Sequence, residues 1–375
     1  MKIVSIGENV KFEKRIAITP EIAKKYVSAG FEVSLSKNYG NHLGFTDEEY
    51  KNLGVEISDN DNEILKKADI IVQLNLLTDE KLSNLKENQI LIGVLNPYKN
   101  QEKISELNKK NIKSFSLELL PRITRAQSMD ILSSQANLAG YRSVIDAAEQ
   151  FGKAFPMMMT AAGRVNPAKV MVLGVGVAGL QAIATAKRLG AVVSATDVRS
   201  ATKEQVESLG GKFVMVEDEE ATNAETEGGY AKEMSDEYKK KQANLIAETI
   251  AKQDIVICTA LIPGRTAPVL ISKEMVESMA TGSVVVDLAV EAGGNCPLSK
   301  LGQVVDHNGV KIIGYANVPG RVAKDASALY AKNIFNFLSL IINKDDKKIN
   351  FNWDDEIIKA VVLTSEGELR LEQFN

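Results

Sequence analysis

Six residues, Gly174-Val175-Gly176-Val177-Ala178-Gly179, fit the spacing G-x-G-x-x-G, with the apolar run AKVMVLG (168–174) leading into them and an alanine-rich segment following. Gly174 permits a tight turn, Gly176 puts no Cβ between backbone and a pyrophosphate, and Gly179 lets helix and strand pack closely. The pyrophosphate would sit on the helix N-terminus, where free N–H groups and the helix dipole favour an anion. The competing reading is a glycine-rich turn that holds no ligand. Asp197 closes the next apolar run, 18 residues after Gly179, where a carboxylate can accept both hydroxyls of a ribose. It should repel a 2′-phosphate, because two anions desolvated together cost several kcal/mol. Arg199, two residues on, is able to receive that phosphate, but Asp197 holds the strand-end position itself and favours NAD over NADP.

Most dehydrogenases acting on alcohols or amino acids need a proton-transferring group beside the hydride, usually histidine. The two histidines here, His42 and His307, lie near glycine and asparagine in loop-like stretches, so solvated or locally hydrogen-bonded imidazoles are expected. Cys258 sits in an apolar run and Cys296 precedes Pro297, with no histidine near either, so inert thiols are expected. Hydride exchange between two nicotinamides needs no proton transfer. It needs the rings held face to face at roughly 3–3.5 Å with water excluded. The segment PRITRAQSMDILS (121–133) offers positioning groups for that job: Arg122, Gln127, Asp130 and Ser133 can converge on a carboxamide and the adjoining ribose. The same residues also fit a capped helix start with a surface ion pair, and both readings stand.

The elements that must hold these groups alternate in type. KIVSIG (2–7), FEVSLS (31–36), DIIVQLN (69–75), ILIGVL (90–95) and IKSFSLELL (112–120) read as strands, with helical patterns such as PEIAKKYVSAG (20–30) between them. A long helical pattern, 128–152, links to a second series: AKVMVLG, AVVSATD (191–197), GKFVMV (211–216), DIVICTA (254–260), GSVVVDLA (282–289) and VKIIGY (310–315). Strands alternating with helices imply βαβ units, and nearly continuous apolar runs imply strands covered on both faces. The helix around 328–343 is expected to return to the first domain. The expected fold is therefore α/β, with two Rossmann-like doubly wound parallel sheets and the nucleotide in the cleft between them. One domain is discontinuous, 1–132 plus 317–375, and wraps around a nucleotide-binding domain at 133–316.

Composition narrows the function. A chain of 375 residues suggests two domains, and 45% hydrophobic with 25% charged residues suits a globular protein. A net charge of −4 argues against a nucleic-acid partner. Two cysteines make no disulfide framework, which fits a reducing compartment, and the N-terminus shows no signal peptide. The longest apolar run near the C-terminus, Ile334 to Ile342, is about half of the ~20 residues a membrane helix needs. No metal site is expected.

Seven stretches carry a resemblance across essentially the whole chain: PRITRAQSMDILSSQANLAGYR, FPMMMTAAG (155–163), GVGVAGLQAIATAKRLGA, TDVR, GGYAKEM (228–234), TALIPG (259–264) and DLAVEAGGNCP (287–297). The sequence resembles the soluble NAD(H)-binding α subunit, domain I, of proton-translocating NAD(P) transhydrogenase. The resemblance implies hydride transfer between NAD(H) here and NADP(H) on a partner subunit, coupled to proton translocation by membrane-embedded partners. It implies a homodimer, peripheral on the cytoplasmic face of the membrane. Carried over by residue, it makes Arg122, Gln127, Asp130 and Ser133 nicotinamide-side contacts. Val177, Asp197, Val198 and Arg199 become pyrophosphate and adenosine-ribose contacts. Gly229, Gln242 and Leu261 complete the adenosine side, with Tyr230 on a mobile loop that closes over the nucleotide. The alternative is the related alanine dehydrogenase type, whose substrate arginine Arg15 matches. That family's catalytic lysine and histidine fall in DIIVQLN and ILIGVLNPY, where this chain has Gln73 and Leu95-Asn96 instead. A regulatory module that only senses NAD is a third reading.

Overall fold

The computed structural model describes residues 1–216, 235–261, 265–343 and 348–370. They form two compact units, Met1–Gln135 with Gly320–Asn375, and Ala136–Pro319.

The first unit is built on an eight-stranded sheet. Its parallel part comprises β1 (Lys2–Ser5), β2 (Glu32–Ser36), β3 (Glu56–Ser58), β4 (Ile70–Asn75), β5 (Ile90–Val94) and β6 (Lys113–Ser116). Their spatial order is β6-β5-β4-β1-β2-β3, so the chain switches direction between β1 and β4. Val, Ile and Leu dominate these strands because helices cover both faces. Beyond β6 the sheet continues with two antiparallel strands, β16 (Val362–Ser365) and β17 (Glu368–Leu369). The stretch 112–120 was expected as one strand, but β6 pairs with β5 only as far as Ser116–Gly93, and Leu117–Leu119 turn into a 3-10 segment. Helix α1 (Pro20–Ser28) starts on Pro20, whose fixed φ suits a first helical turn. It buries Ile22, Ala23 and Tyr26 in a core shared with Phe115, Ile334 and Phe337.

The second unit holds seven strands: β9 (Lys169–Leu173), β10 (Val192–Thr196), β11 (Lys212–Phe213), β12 (Ile255–Cys258), β13 (Val284–Asp287), β14 (Gln303–His307) and β15 (Val310–Gly314). The order β11-β10-β9-β12-β13-β15-β14 again reverses beside its first strand, here between β9 and β12, and only β14 is antiparallel. Such a switch point is where nucleotides bind in doubly wound sheets. GKFVMV shortens to the two residues of β11, because β10 pairs only with Lys212 and Phe213 before ending at Thr196. Two further strands, β7 (Met158–Thr160) and β8 (Gly163–Val165), make a separate hairpin.

Four further helices bear on the site: α2 (Ile131–Gln150), α3 (Val177–Arg188), α4 (Asp236–Ile250) and α5 (Ala323–Ile341). The short α6 (Glu356–Val361) precedes β16. No helix among the described residues is long and apolar enough to cross a membrane.

Candidate functional site

The glycine turn joins β9 to α3 in the way its chemistry requires. Gly174 has φ +95°, and a Cβ there would lie 2.8 Å from Thr259 Oγ1. A Cβ on Gly179 would come within 1.9 Å of the Gly174 carbonyl oxygen, which is the close helix–strand packing that only glycine allows. Gly176 differs: a Cβ there would meet nothing within 4 Å, so open space lies over the turn. Gly176 is the N-cap of α3, and no side chain caps the helix. The first N–H groups of a helix lack intrahelical partners, so an anion above Gly176 would find them available. Thr259, just after β12, steadies the turn by donating from Oγ1 to the Gly174 carbonyl at 2.9 Å. Thr259 was not singled out from sequence, although TALIPG was marked as a motif.

Asp197 stands just beyond β10. Its carboxylate accepts from the Val175 N–H at 2.7 Å, the Arg199 N–H at 2.9 Å, and Arg199 Nε and Nη2 at 2.9 and 3.1 Å. Burial alone would push this carboxyl up, but the Arg199 guanidinium and the two backbone N–H groups outweigh it and hold it below the usual carboxylate range. An ionised carboxylate offers about four acceptor sites, so a ribose hydroxyl gains access by displacing a donor. The flexible Arg199 side chain is the donor that can move, since the N–H groups belong to the turn itself.

Gln242 of α4 donates from Nε2 to Thr196 Oγ1 at 3.1 Å and accepts the Val216 N–H at 2.8 Å. It thus braces the residue before Asp197. Val177, Val198 and Leu261 expose 40%, 71% and 54% of their surface, leaving apolar side chains uncovered after β9, β10 and β12. Gly229 and Tyr230, with the loop expected to close over the nucleotide, lie outside the described residues.

In the first unit, Asp130 accepts from the Ser133 N–H at 2.9 Å and from Ser133 Oγ at 2.5 Å, closing the start of α2 as a helix cap. The ion pair of this segment is made by Arg125, which grips Asp355 bidentately at 2.5 and 2.8 Å. Ala126 and Met129 are buried, whereas Arg122 and Gln127 are exposed. The loop is anchored by its apolar residues and presents its polar ones.

At the C-terminal edge of the same sheet, Gln73 is buried and accepts from Ser5 Oγ and the Ile6 N–H at 2.8 Å each. Asn96 is exposed at φ +47°, and its N–H meets Glu118 at 2.7 Å. Arg15 is held by Glu13 at 2.9 and 2.7 Å and by Gln135 at 2.8 Å. No proton donor or acceptor of ordinary dehydrogenase type stands at positions 73 and 96. His42 binds the Lys14 carbonyl at 2.7 Å and His307 binds Glu277 at 3.0 Å, local contacts on the surface. Both cysteines are buried, and desolvation pushes both thiols up, so neither is a thiolate nucleophile. Among the described residues, no group of three or more His, Cys, Asp and Glu is placed to hold a metal ion.

Two matches divide the chain between them: the Alanine dehydrogenase/PNT N-terminal domain over residues 6–139 and the Alanine dehydrogenase/PNT C-terminal domain over 143–372. An NAD(P) transhydrogenase subunit alpha chain of Rhodospirillum rubrum is 53% identical over 374 residues, covering 98% of this chain and 97% of that one. The chain belongs to the NAD(P) transhydrogenase alpha-subunit branch of the alanine dehydrogenase/PNT family. The crystal structure of transhydrogenase from Sinorhizobium meliloti superimposes with a TM-score of 0.89 at 49% identity, over 98% of this chain and 99% of that one. Alanine dehydrogenase of Methanococcus maripaludis is 28% identical over 92% of this chain and 89% of its own. Gln73 and Asn96 give that distance a chemical meaning, since this chain carries no acid or base there.

Proposed function

We propose that this transhydrogenase alpha subunit binds NAD(H) and exchanges hydride with NADP(H) held by a partner subunit. The observation that carries the reading is the open turn at Gly176 over an uncapped helix, with Asp197 at the end of the neighbouring strand. Gly176 and the start of α3 take the pyrophosphate. Asp197 takes the ribose hydroxyls and turns away a 2′-phosphate, with Val177, Val198, Arg199, Gln242 and Leu261 around the adenosine. Gly229 and Tyr230 complete that side. In the first unit, the Gln127 amide and Arg122 face the carboxamide, and the Asp130–Ser133 pair faces the adjoining ribose. When bound, NAD(H) supplies the hydride, and the protein's residues orient the ring and exclude water without moving a proton.

The partners follow from the same reading. NADP(H)-binding and membrane-embedded subunits complete the enzyme and couple it to proton translocation, which makes this chain peripheral on the cytoplasmic face. A homodimer is supported by the β7–β8 hairpin, which leaves Met157, Met158 and Met159 exposed at 55%, 42% and 70%. An isolated hairpin is marginal in water, and a contiguous apolar patch marks an interaction surface.

The test is to mix the full-length protein with an NADP(H)-binding transhydrogenase component. NADH-dependent NADP⁺ reduction is expected, with tight titration of NADH and poor titration of NADPH. Equal affinity for the two nucleotides would remove the role given to Asp197. Turnover of L-alanine with NAD⁺ would restore the alanine dehydrogenase reading.

A further inference from the structure

Helix α5 turns an apolar face inward: Tyr330, Ala331, Ile334, Phe337, Leu338 and Ile341 are all at most 1% exposed. Asn333 interrupts that face at 8% exposure. Burying an amide without partners is costly, and for stability alone an apolar residue of similar size would serve better in a core-facing position. Asn333 has partners at both ends. Its Nδ2 donates to the Ser128 carbonyl at 2.8 Å, and its Oδ1 accepts from Ser134 Oγ at 2.8 Å. Ser128 directly follows Gln127, and Ser134 directly follows Ser133. One side chain therefore spans the chord of the loop that carries Gln127, Asp130 and Ser133. Asn336, one turn on, donates a second bond to the same Ser128 carbonyl at 2.8 Å. The far end continues through Gln135, whose Nε2 reaches Ser134 Oγ at 3.3 Å and the Ala326 carbonyl of α5 at 3.1 Å.

We infer that Asn333 is a positioning residue for hydride transfer, a clamp that fixes the 127–133 loop from a helix about 200 residues away in sequence. The inference rests on the reading that this loop orients the nicotinamide. Only a planar amide can donate to a carbonyl at one end and accept a hydroxyl proton at the other. Aspartate keeps the acceptor for Ser134 but sets a carboxylate against the Ser128 carbonyl, so the conservative exchange is a sharp probe. A displacement of ~1 Å in an orienting loop costs on the order of a hundredfold in rate, while a pyrophosphate grip located elsewhere in the chain is untouched.

The experiment measures single-turnover hydride transfer from NADH to an NADP⁺-loaded transhydrogenase component, using full-length Asn333→Asp, Asn333→Ala, Ser134→Ala and Gln127→Asn proteins. NADH affinity and the thermal midpoint are recorded for each. The clamp requires Asn333→Asp and Asn333→Ala to slow transfer by about tenfold to a hundredfold, with NADH affinity within a few-fold of wild type. It also requires Asn333→Ala and Ser134→Ala to be less than additive in combination, since both cut the same strut. If Gln127→Asn slows transfer and the Asn333 and Ser134 variants run at the wild-type rate per folded molecule, the clamp is wrong and the loop reading survives. If Gln127→Asn also runs at the wild-type rate, the loop reading fails and the clamp falls with it. Should Asn333→Asp not fold, Ser134→Ala puts the same question from the other end of the strut.

Discussion

Glu118 shows what a single side chain does to this protein's response to pH. Burial pushes its carboxyl up, above the ordinary 4.5, despite hydrogen bonds that favour the ionised form. One oxygen takes the Asn96 N–H, while Oε2 is buried with no partner among the described residues. Between the unfolded and the folded pKa, the folded state binds more protons than the unfolded one. Stability therefore falls as pH rises through that interval, starting near 4.5. Glu118→Gln keeps the shape and removes the buried charge. The variant is expected to unfold about 2 °C higher than wild type at pH 8, and to show a flatter midpoint above pH 4.5 by differential scanning calorimetry. A profile parallel to wild type would mean that Glu118 does not titrate in this interval. At this scale the sequence was partly legible. Asp197 is readable because its distance from Gly179 is fixed by one βαβ unit. Thr259 and Asn333 are not, because their partners lie 85 and 205 residues away and no local spacing encodes such bonds.

Among the elements, the strongest apolar periodicities marked true helices and strands, and the short edge pieces escaped. β3 has three residues and β17 two, too few for an alternating pattern to stand out. The linking helix α2 carries a demand that periodicity hides. A Cβ on Gly140 would lie 2.1 Å from the Ala178 carbonyl oxygen, in the first turn of α3. Here backbone meets backbone, so no side chain can swing aside. Gly140→Ala is expected to cost about 1–3 kcal/mol and to weaken NADH binding several-fold by shifting the start of α3, as read by denaturant unfolding and fluorescence titration. Unchanged values for both would show that α2 can slide without disturbing the turn. The β7–β8 hairpin answers to a different measurement. Met159→Asp places a charge on a side chain that is 70% exposed. Sedimentation should then show monomers at concentrations where the wild type is dimeric, with each unit still folded.

For the whole molecule, the alternation of strands and helices implies two doubly wound sheets, and composition set aside nucleic acid as a partner. What sequence patterning missed is how the first sheet is finished. Its strand β6 pairs with β16, contributed by residues 362–365, and Phe115 on β6 packs against Phe337 of α5 and stacks on Phe351. During synthesis, then, β1 to β6 leave the ribosome early yet wait with an open hydrogen-bonding edge and a half-built core until the last-made segments arrive. Residues 136–319, made in the interval, carry all their own strands and can close first. The oldest part of the chain is the last to be secured, and while it waits its bare β6 edge invites pairing with a neighbouring nascent chain. Chains arrested before residue 362 emerges should resist protease across 136–319 and be cut within 1–135. Protection of both at that stage would mean that β6 finds a substitute partner.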